Sequence, residues 1–415
     1  MQVAVIGGGV IGVCTAYFLA EAGHQVVVIE RLSNVGDGAS FGSAGIIAPG
    51  YVTPWAAPGM PRKLLQSLFR PDSPLLLRPS ADAALWRWLR LWKSECELER
   101  YRINRDRMRR VTGYSRELLH QIRDLHHIDY EQTQGYLQLF RAERDVLLAE
   151  PGIALLAEHD VPHSLLDPDA VRAIEPGLAS ATPLVGGIYL PEDEAGNCPL
   201  FTKQLRTVAQ ANGVEFRFGS TVKSIGRNGS QVSLQVDDLL FSVDAAVIAA
   251  GAESLPLMAQ LGIDIPLFPV KGYSATATIK HFDAAPRAAV MDESFQVSIA
   301  RMGSRIRVSG ITEIGARGMD LHDAAIRTLV KVGEDWFPDA ANFNTANFWC
   351  GARAVLPDGA PLLGQSPMKG VYLNVGHGST GWAMAAGAGK AVADLVSGRK
   401  PDIDMDGLTL SRYRG

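Results

Sequence analysis

The sequence predicts an α/β chain of two joined domains, a Rossmann-like nucleotide-binding domain and a second domain on a largely antiparallel sheet. Three observations predict it. A short β-branched run Val3–Ile6, a glycine turn, a helical stretch from about Val10 to Ala22, a stop at Gly23 and a second apolar run Val26–Ile29 form a compact βαβ unit. The stretch Ala245-Ala246-Val247-Ile248-Ala249-Ala250-Gly251 is apolar throughout, as a strand buried in a parallel-sheet core is. Strand-like runs at Tyr136–Phe140, Gly187–Leu190, Tyr273–Ile279, Gln296–Ile299 and Arg305–Ile311 lie between and beyond these blocks and suggest the second sheet.

At 415 residues the chain exceeds what one hydrophobic core usually serves. The expected division gives 1–80, 191–265 and 345–415 to the nucleotide-binding domain, and 81–190 with 266–344 to the second. From Trp86 to Leu125 the pattern changes to long helices rich in Arg and Leu, with Trp86, Leu89 and Trp92 at helical spacing. That segment is expected as an insertion belonging to the second domain. The helix near Phe201–Ala211, the strand Glu215–Phe218 and a meander through Leu234–Val236 return the chain to the parallel core. A last strand, Val371–Asn374, leads through a glycine-rich turn into a long helix of small residues.

Composition narrows the function. A net charge of -4 argues against a general nucleic-acid binder, which needs a basic excess, and favours a small-molecule partner. Cys14, Cys96, Cys198 and Cys350 stand far apart with no CxxC pair and no histidine at ligand spacing, so neither a disulfide framework nor a metal site is expected. Met1 leads directly into a strand without a basic leader, and no apolar run has the length of a membrane span. A cytoplasmic protein is expected. Asn228-Gly229-Ser230 then reads as a turn.

Gly7-Gly8-Gly9-Val10-Ile11-Gly12 fits GxGxxG through Gly7, Gly9 and Gly12: one glycine for the tight turn, one for backbone approach to a pyrophosphate, one for close helix packing. The pattern follows a strand ending at Ile6 and opens a helix, and Glu30 ends the second strand where a carboxylate can hold a ribose diol. The same fingerprint serves NAD and FAD. Arg31-Leu32-Ser33 and the small-residue stretch Gly38–Gly45, with Ser40, Ser43, Ala44 and Gly45 leading to Ile46, favour FAD, because its longer extended body needs a backbone path in place of another crossover helix. Val222, Ala250 and Gly251 complete the cofactor-binding candidates on this side.

Asn374-Val375-Gly376-His377-Gly378-Ser379-Thr380-Gly381-Trp382 precedes the small-residue helix and so places free N–H groups of Gly376, Gly378, Ser379, Thr380 and Gly381 at a positive helix end. Such an end suits negative charge on a reduced flavin. His377 is a candidate contact to cofactor or substrate, or a turn histidine. In Gly351–Pro361, Arg353 puts one guanidinium in a loop bounded by Gly and Pro, a planar fork suited to a substrate carboxylate.

The N-terminal fingerprint, Ser43-Ala44-Gly45-Ile46-Ile47-Ala48-Pro49-Gly50-Tyr51, Pro54-Trp55-Ala56-Ala57-Pro58-Gly59, Tyr136–Arg141, Pro269-Val270-Lys271-Gly272-Tyr273-Ser274 and Asn374–Gly378 together closely resemble the bacterial D-amino acid dehydrogenase small-subunit family. The likeness runs from Met1 to the Ser411-Arg412-Tyr413 tail. It implies a D-amino acid oxidase-like fold, noncovalent FAD, and hydride transfer from the α-carbon of a small D-amino or D-imino acid to flavin N5. It further implies electrons passed to a quinone-type acceptor, with Arg353 gripping the substrate carboxylate. Glycine oxidase and D-amino acid oxidase carry a carboxylate-binding tyrosine near the strand that here is Phe295–Ile299, and this chain has none there. Tyr273 or Tyr51 are the substitutes. Tyr136 stands where members active on D-alanine carry threonine, which points to cyclic substrates, cis-4-hydroxy-D-proline or D-proline, oxidised to a pyrroline carboxylate. A true oxidase, a pyridine-nucleotide-dependent enzyme and a non-catalytic FAD-binding subunit stay open, as does a homo-oligomer. Peripheral contact with the inner face of the membrane is expected through 61–70, where Leu64, Leu65, Leu68 and Phe69 share a helical face flanked by Arg62, Lys63 and Arg70.

Overall fold

The computed structural model describes residues 1–67, 73–78, 80–316 and 318–413. Strand β1 (Gln2–Ile6), helix α1 (Val10–Glu21) and strand β2 (Gln25–Ile29) form the opening unit, with β1 and β2 parallel and Val3 opposite Val26. They sit near the centre of a six-stranded sheet in the order Leu362–Gln365, Val371–Val375, Ala245–Ile248, β1, β2, Glu215–Arg217. All its pairings are parallel except the outermost one, between Leu362–Gln365 and Val371–Val375. Val3, Ala4, Val5 and Ala246, Val247, Ile248 have no exposed surface, as strands covered on both faces require.

The second sheet has ten strands. Its main path runs Asn347–Val355, Phe268–Thr278, Arg305–Ile314, Val297–Met302, Ala289–Asp292, Thr133–Phe140, Gly186–Ala195, Ile46–Ile47. Two pairings are parallel, Ala289–Asp292 on Thr133–Phe140 and Leu75–Leu77 on Arg305–Ile314, and the others are antiparallel.

The domain boundaries drawn from sequence differ from the sheets the strands join. Ile46–Ile47 and Leu75–Leu77 lie in the 1–80 block and Asn347–Val355 in the 345–415 block, yet all three pair into the ten-stranded sheet. Strand membership is decided by long-range pairing, which local pattern does not encode. The meander is likewise separate from the parallel core: Val222–Asn228, Gln231–Val236 and Leu239–Val243 form their own antiparallel three-stranded sheet.

The helical segment shows the largest departure. Helix Ala83–Ser94 does pack on the second sheet, burying Leu85, Trp88 and Trp92 beside Phe268, Val270 and Val355. Of the three spaced residues, Trp92 is buried in this cluster and Leu89 packs against it, and Trp86 faces outward. Trp86 is half exposed and donates its indole N–H to the Ser80 carbonyl at 2.8 Å. Helix Leu98–His126, by contrast, sends Met108, Val111, Leu118, Leu119 and Ile122 into the core that contains β1 and α1. Small residues in helix Gly381–Val396 make this contact close. A Cβ on Gly387 would lie 2.8 Å from the Val111 carbonyl oxygen, and one on Gly389 2.9 Å from the Thr15 nitrogen of α1.

Helix Met60–Ser67 carries the described part of the expected membrane segment. Leu64 is buried among Trp88, Trp92 and Phe268, whereas Leu65 is exposed, so the two do not share a free apolar face. Leu68, Phe69 and Arg70 lie outside the described residues.

Gly387→Val should push the two helices apart and destabilise the protein by about 1–3 kcal/mol, the usual cost of overpacking a close contact. Denaturant unfolding measures it. An unchanged midpoint would mean that the contact contributes little.

Candidate active site

One cavity of about 960 Å³ is lined by residues of both sheets, at the upper end of the roughly 300–1,000 Å³ usual for small-molecule sites. It begins at the fingerprint. Gly7 has φ +110, and a Cβ there would stand 2.6 Å from the Ala249 carbonyl oxygen. Glu30 is buried at the end of β2 and accepts from the Gly8 N–H at 2.5 Å and the Leu32 N–H at 2.8 Å. Gly9 gives the first turn of α1 no side-chain cap, and the Val10 N–H donates to Ser40 Oγ at 3.0 Å. A carboxylate beside an uncapped helix start is the pairing that holds a ribose and a phosphate.

Of the sequence candidates, Ile6, Gly7, Gly9, Val10, Ile11, Glu30, Arg31, Ser40, Ser43, Ala44, Ile46, Val222, Ala250 and Gly251 line this cavity, as do Gly376, Gly378, Ser379, Thr380 and Gly381. Two do not. Gly12 sits behind the turn, where a Cβ would fall 1.9 Å from the Gly7 carbonyl oxygen, so its role is packing. Gly45 faces the protein, accepting from the Trp382 indole at 3.1 Å and turning at φ +84 against the Gly196 carbonyl.

Two arginines outside any motif shape the loops of the wall. Arg307 is buried and donates to the carbonyls of Phe41 at 2.7 Å and Ser43 at 3.0 Å and to Thr276 Oγ1 at 3.1 Å; burial pushes it down to about 10. Arg105, from helix Leu98–His126, donates to the Gly50 carbonyl at 3.2 Å and the Val52 carbonyl at 3.4 Å. Sequence alone offered only a strand arginine and a helix arginine.

Arg353 comes from strand Asn347–Val355, paired with Phe268–Thr278. Its guanidinium lies across Gly272, where a Cβ would be 2.3 Å from Cζ, which explains the glycine in the Lys-Gly-Tyr block. It lines the cavity, and among the described residues no hydrogen bond or ion pair engages it. Desolvation alone pushes it down to about 10, so it stays charged at neutral pH. A desolvated cation without a counter-ion is costly and calls for an anion.

The tyrosines separate. Tyr51 lines the cavity and donates its hydroxyl proton to Glu293 Oε1 at 3.2 Å. Tyr136 is fully buried behind it, rings 4.7 Å apart, and is not part of the wall. Tyr273 is also outside the wall: its hydroxyl donates to buried Glu313, beside Lys271. Its alternation with Gly272 on the strand turns it to the opposite face, so it does not replace the missing tyrosine. His377 lines the cavity with Nε2 buried and without a partner, and burial pushes it down to about 3, a neutral imidazole.

The helix starts at Gly9 and Gly381, neither with a side-chain cap of its own, and the Glu30 carboxylate, engaged by the Gly8 and Leu32 N–H groups, line one cavity. These residues fit FAD. Fold and site together define a dinucleotide-dependent oxidoreductase.

The chain belongs to the FAD dependent oxidoreductase family, whose model matches residues 2–395. It is 43% identical over 416 residues to a D-amino acid dehydrogenase of Agrobacterium fabrum and 41% identical over 417 residues to one of Neisseria meningitidis, each alignment covering 100% of both chains. Among solved structures it is similar to glycine oxidase from Geobacillus kaustophilus, with TM-score 0.78, 22% identity and 100% of both chains covered. It is also similar to L-proline dehydrogenase from P.horikoshii, with TM-score 0.75, 19% identity and 100% and 97% covered. The D-amino acid oxidase-like α/β fold and the FAD expected from sequence are those of this family.

His377 is neutral when folded, whereas an unfolded histidine binds a proton below about pH 6.5. Its contribution to stability is therefore complete above that pH and is lost as pH falls toward 3. His377→Gln should flatten the fall in stability of the FAD-loaded protein between pH 6.5 and 5, measured by denaturant midpoints. Equal slopes would contradict a neutral buried imidazole.

Proposed function

We propose that the chain is a D-amino acid dehydrogenase that binds the substrate carboxylate on Arg353 and passes electrons to a quinone-type acceptor. The unpaired, desolvated guanidinium in the cavity wall is the observation that carries this reading. A carboxylate would satisfy it bidentately. The D configuration is supported by what the full-length relatives are named. Bound FAD supplies a two-electron acceptor.

The residues of this chain bind and orient. Gly272 seats the guanidinium and its strand fixes its direction. Three titratable groups of the wall, Tyr51, Cys350 and His377, are poor acceptors of an ammonium proton at neutral pH. Burial pushes Tyr51 well up and Cys350 up, and holds His377 at about 3. The amine is thus deprotonated by solvent before oxidation, and kcat/KM should rise with pH through the ionisation of the substrate amine. A rise complete well below that ionisation would instead reveal a protein base.

Tyr136 lies behind Tyr51, so any preference for cyclic D-imino acids is transmitted through the Tyr51 ring and not by contact. Among the described residues no helix is long and apolar enough to cross a membrane. Peripheral docking through 61–70 would rest on Leu65 and the flanking cations, since Leu64 is committed to the protein's own core.

Arg353→Lys should retain FAD and lose about 2–4 kcal/mol of transition-state binding, because an ammonium cannot reproduce the fork. Steady-state kcat/KM with D-alanine and D-proline reads it. An unchanged value would make Arg353 structural.

A further inference from the structure

Glu293 closes a short turn before strand Val297–Met302, and its carboxylate gathers side-chain donors from three segments. Tyr51 Oη donates to Oε1 at 3.2 Å, Gln138 Nε2 to Oε1 at 2.8 Å, and Gln296 Nε2 to Oε2 at 2.7 Å. Gln296 Nε2 also donates to the Glu293 carbonyl at 3.1 Å, so both of its amide hydrogens are engaged. Tyr51 has one proton, and Glu293 takes it. Tyr51 and Gln296 both line the cavity. With their hydrogens turned away, what they retain is acceptor only: the phenolic lone pairs and the Gln296 amide oxygen.

The arrangement is built, not incidental. Gln296 holds φ +49, a conformation that costs a non-glycine residue free energy. Asp292 Oδ1 fixes the turn by accepting from the Phe295 N–H at 3.1 Å. Gly310 makes room for it, since a Cβ there would stand 2.8 Å from the Gln296 carbonyl oxygen. Burial pushes the Glu293 carboxyl up, while Gln138, the Lys63 ammonium, Gln296 and Tyr51 pull it back toward the ionised form.

We propose that Glu293 is a positioning residue that sets the polarity of the substrate pocket, turning Tyr51 and Gln296 into an acceptor wall that reads the substrate's N–H group. The inference rests on the amino-acid reading above and deepens it. Arg353 has only donors and takes the carboxylate; Tyr51 and Gln296 offer only acceptors and take the amine. A carboxylic acid without a donor in place of the amine would leave those acceptors unpaired, which is how a polar site rejects an analogue lacking the group it was shaped for.

Pyrrole-2-carboxylate and furan-2-carboxylate test this, because they share a shape and a carboxylate and differ in one N–H. Each is titrated into the FAD-loaded protein and followed by the change in flavin absorbance. Wild type should bind the pyrrole about tenfold or more tightly than the furan. In Glu293→Gln the new amide is itself a donor, Tyr51 and Gln296 are released to turn their hydrogens into the cavity, and the ratio should fall to about one with furan affinity kept. Gln296→Met removes one acceptor, and with it one donor to the Glu293 carboxylate, while Tyr51 and Gln138 stay on that carboxylate; it should lower pyrrole affinity alone. FAD content and circular dichroism report folding of both variants. A pyrrole preference that survives in both folded variants overturns the role of Glu293 while leaving Arg353 intact. If neither acid perturbs wild-type flavin, the carboxylate reading falls and this inference with it.

Discussion

Three neighbouring parallel strands end at the same edge of the six-stranded sheet, and each is followed within a few residues by a glycine with positive φ: Gly7 at +110, Gly251 at +58 and Gly376 at +82. Parallel pairing forces the strand ends together, and the glycines let the chain turn there without a side chain in the way. Everything that defines the cofactor side of the cavity follows from this edge. α1 and helix Gly381–Val396 start from it, so two backbone donor sets face one space. Their contact in turn needs the glycines that face α1 and the long helix.

Buried charge separates scaffold from site. Arg307 is engaged by carbonyl oxygens of loops in the wall, as is Arg105 through Nε and one Nη, Arg412 by Asp358 at 2.7 Å, and Lys271 lies 3.7 Å from Glu313. In each the polar group is engaged by its own protein, as the desolvation cost demands. Arg353 is the exception: it lines the cavity, and among the described residues no hydrogen bond or ion pair engages it.

The first domain was readable because its signals are local: a strand, a glycine turn, a helix and a carboxylate at fixed spacing. The cavity-lining candidates from Ile6 to Ile46 and from Gly376 to Gly381 were found this way. Gly12 packs behind the turn as the third fingerprint glycine should, whereas Gly45 faces the protein, because a glycine in a small-residue stretch does not say whether its close approach is to a ligand or to the chain itself. Tyr273 failed for a related reason, since a strand position gives alternation but not which face meets the cavity. Arg307, Arg105 and Glu293 carried no signal at all; each acts on a segment far from it in sequence, and only the long-range pairing of strands and helices brings the partners together.

Helix Leu98–His126 reaches both sides of the molecule: its apolar face completes the core under β1, and Arg105 holds the Gly50–Val52 loop of the cavity wall. The segment is therefore not an exchangeable module, although its sequence looks like one. A chimera between relatives that swaps only the antiparallel sheet would separate this helix from the partner glycines shaped to receive it, and would break the cofactor domain while altering the substrate domain. The helix is matched to Gly381–Val396, which in turn packs on α1 through Gly389, and chain order hides this because the two helices are more than 250 residues apart.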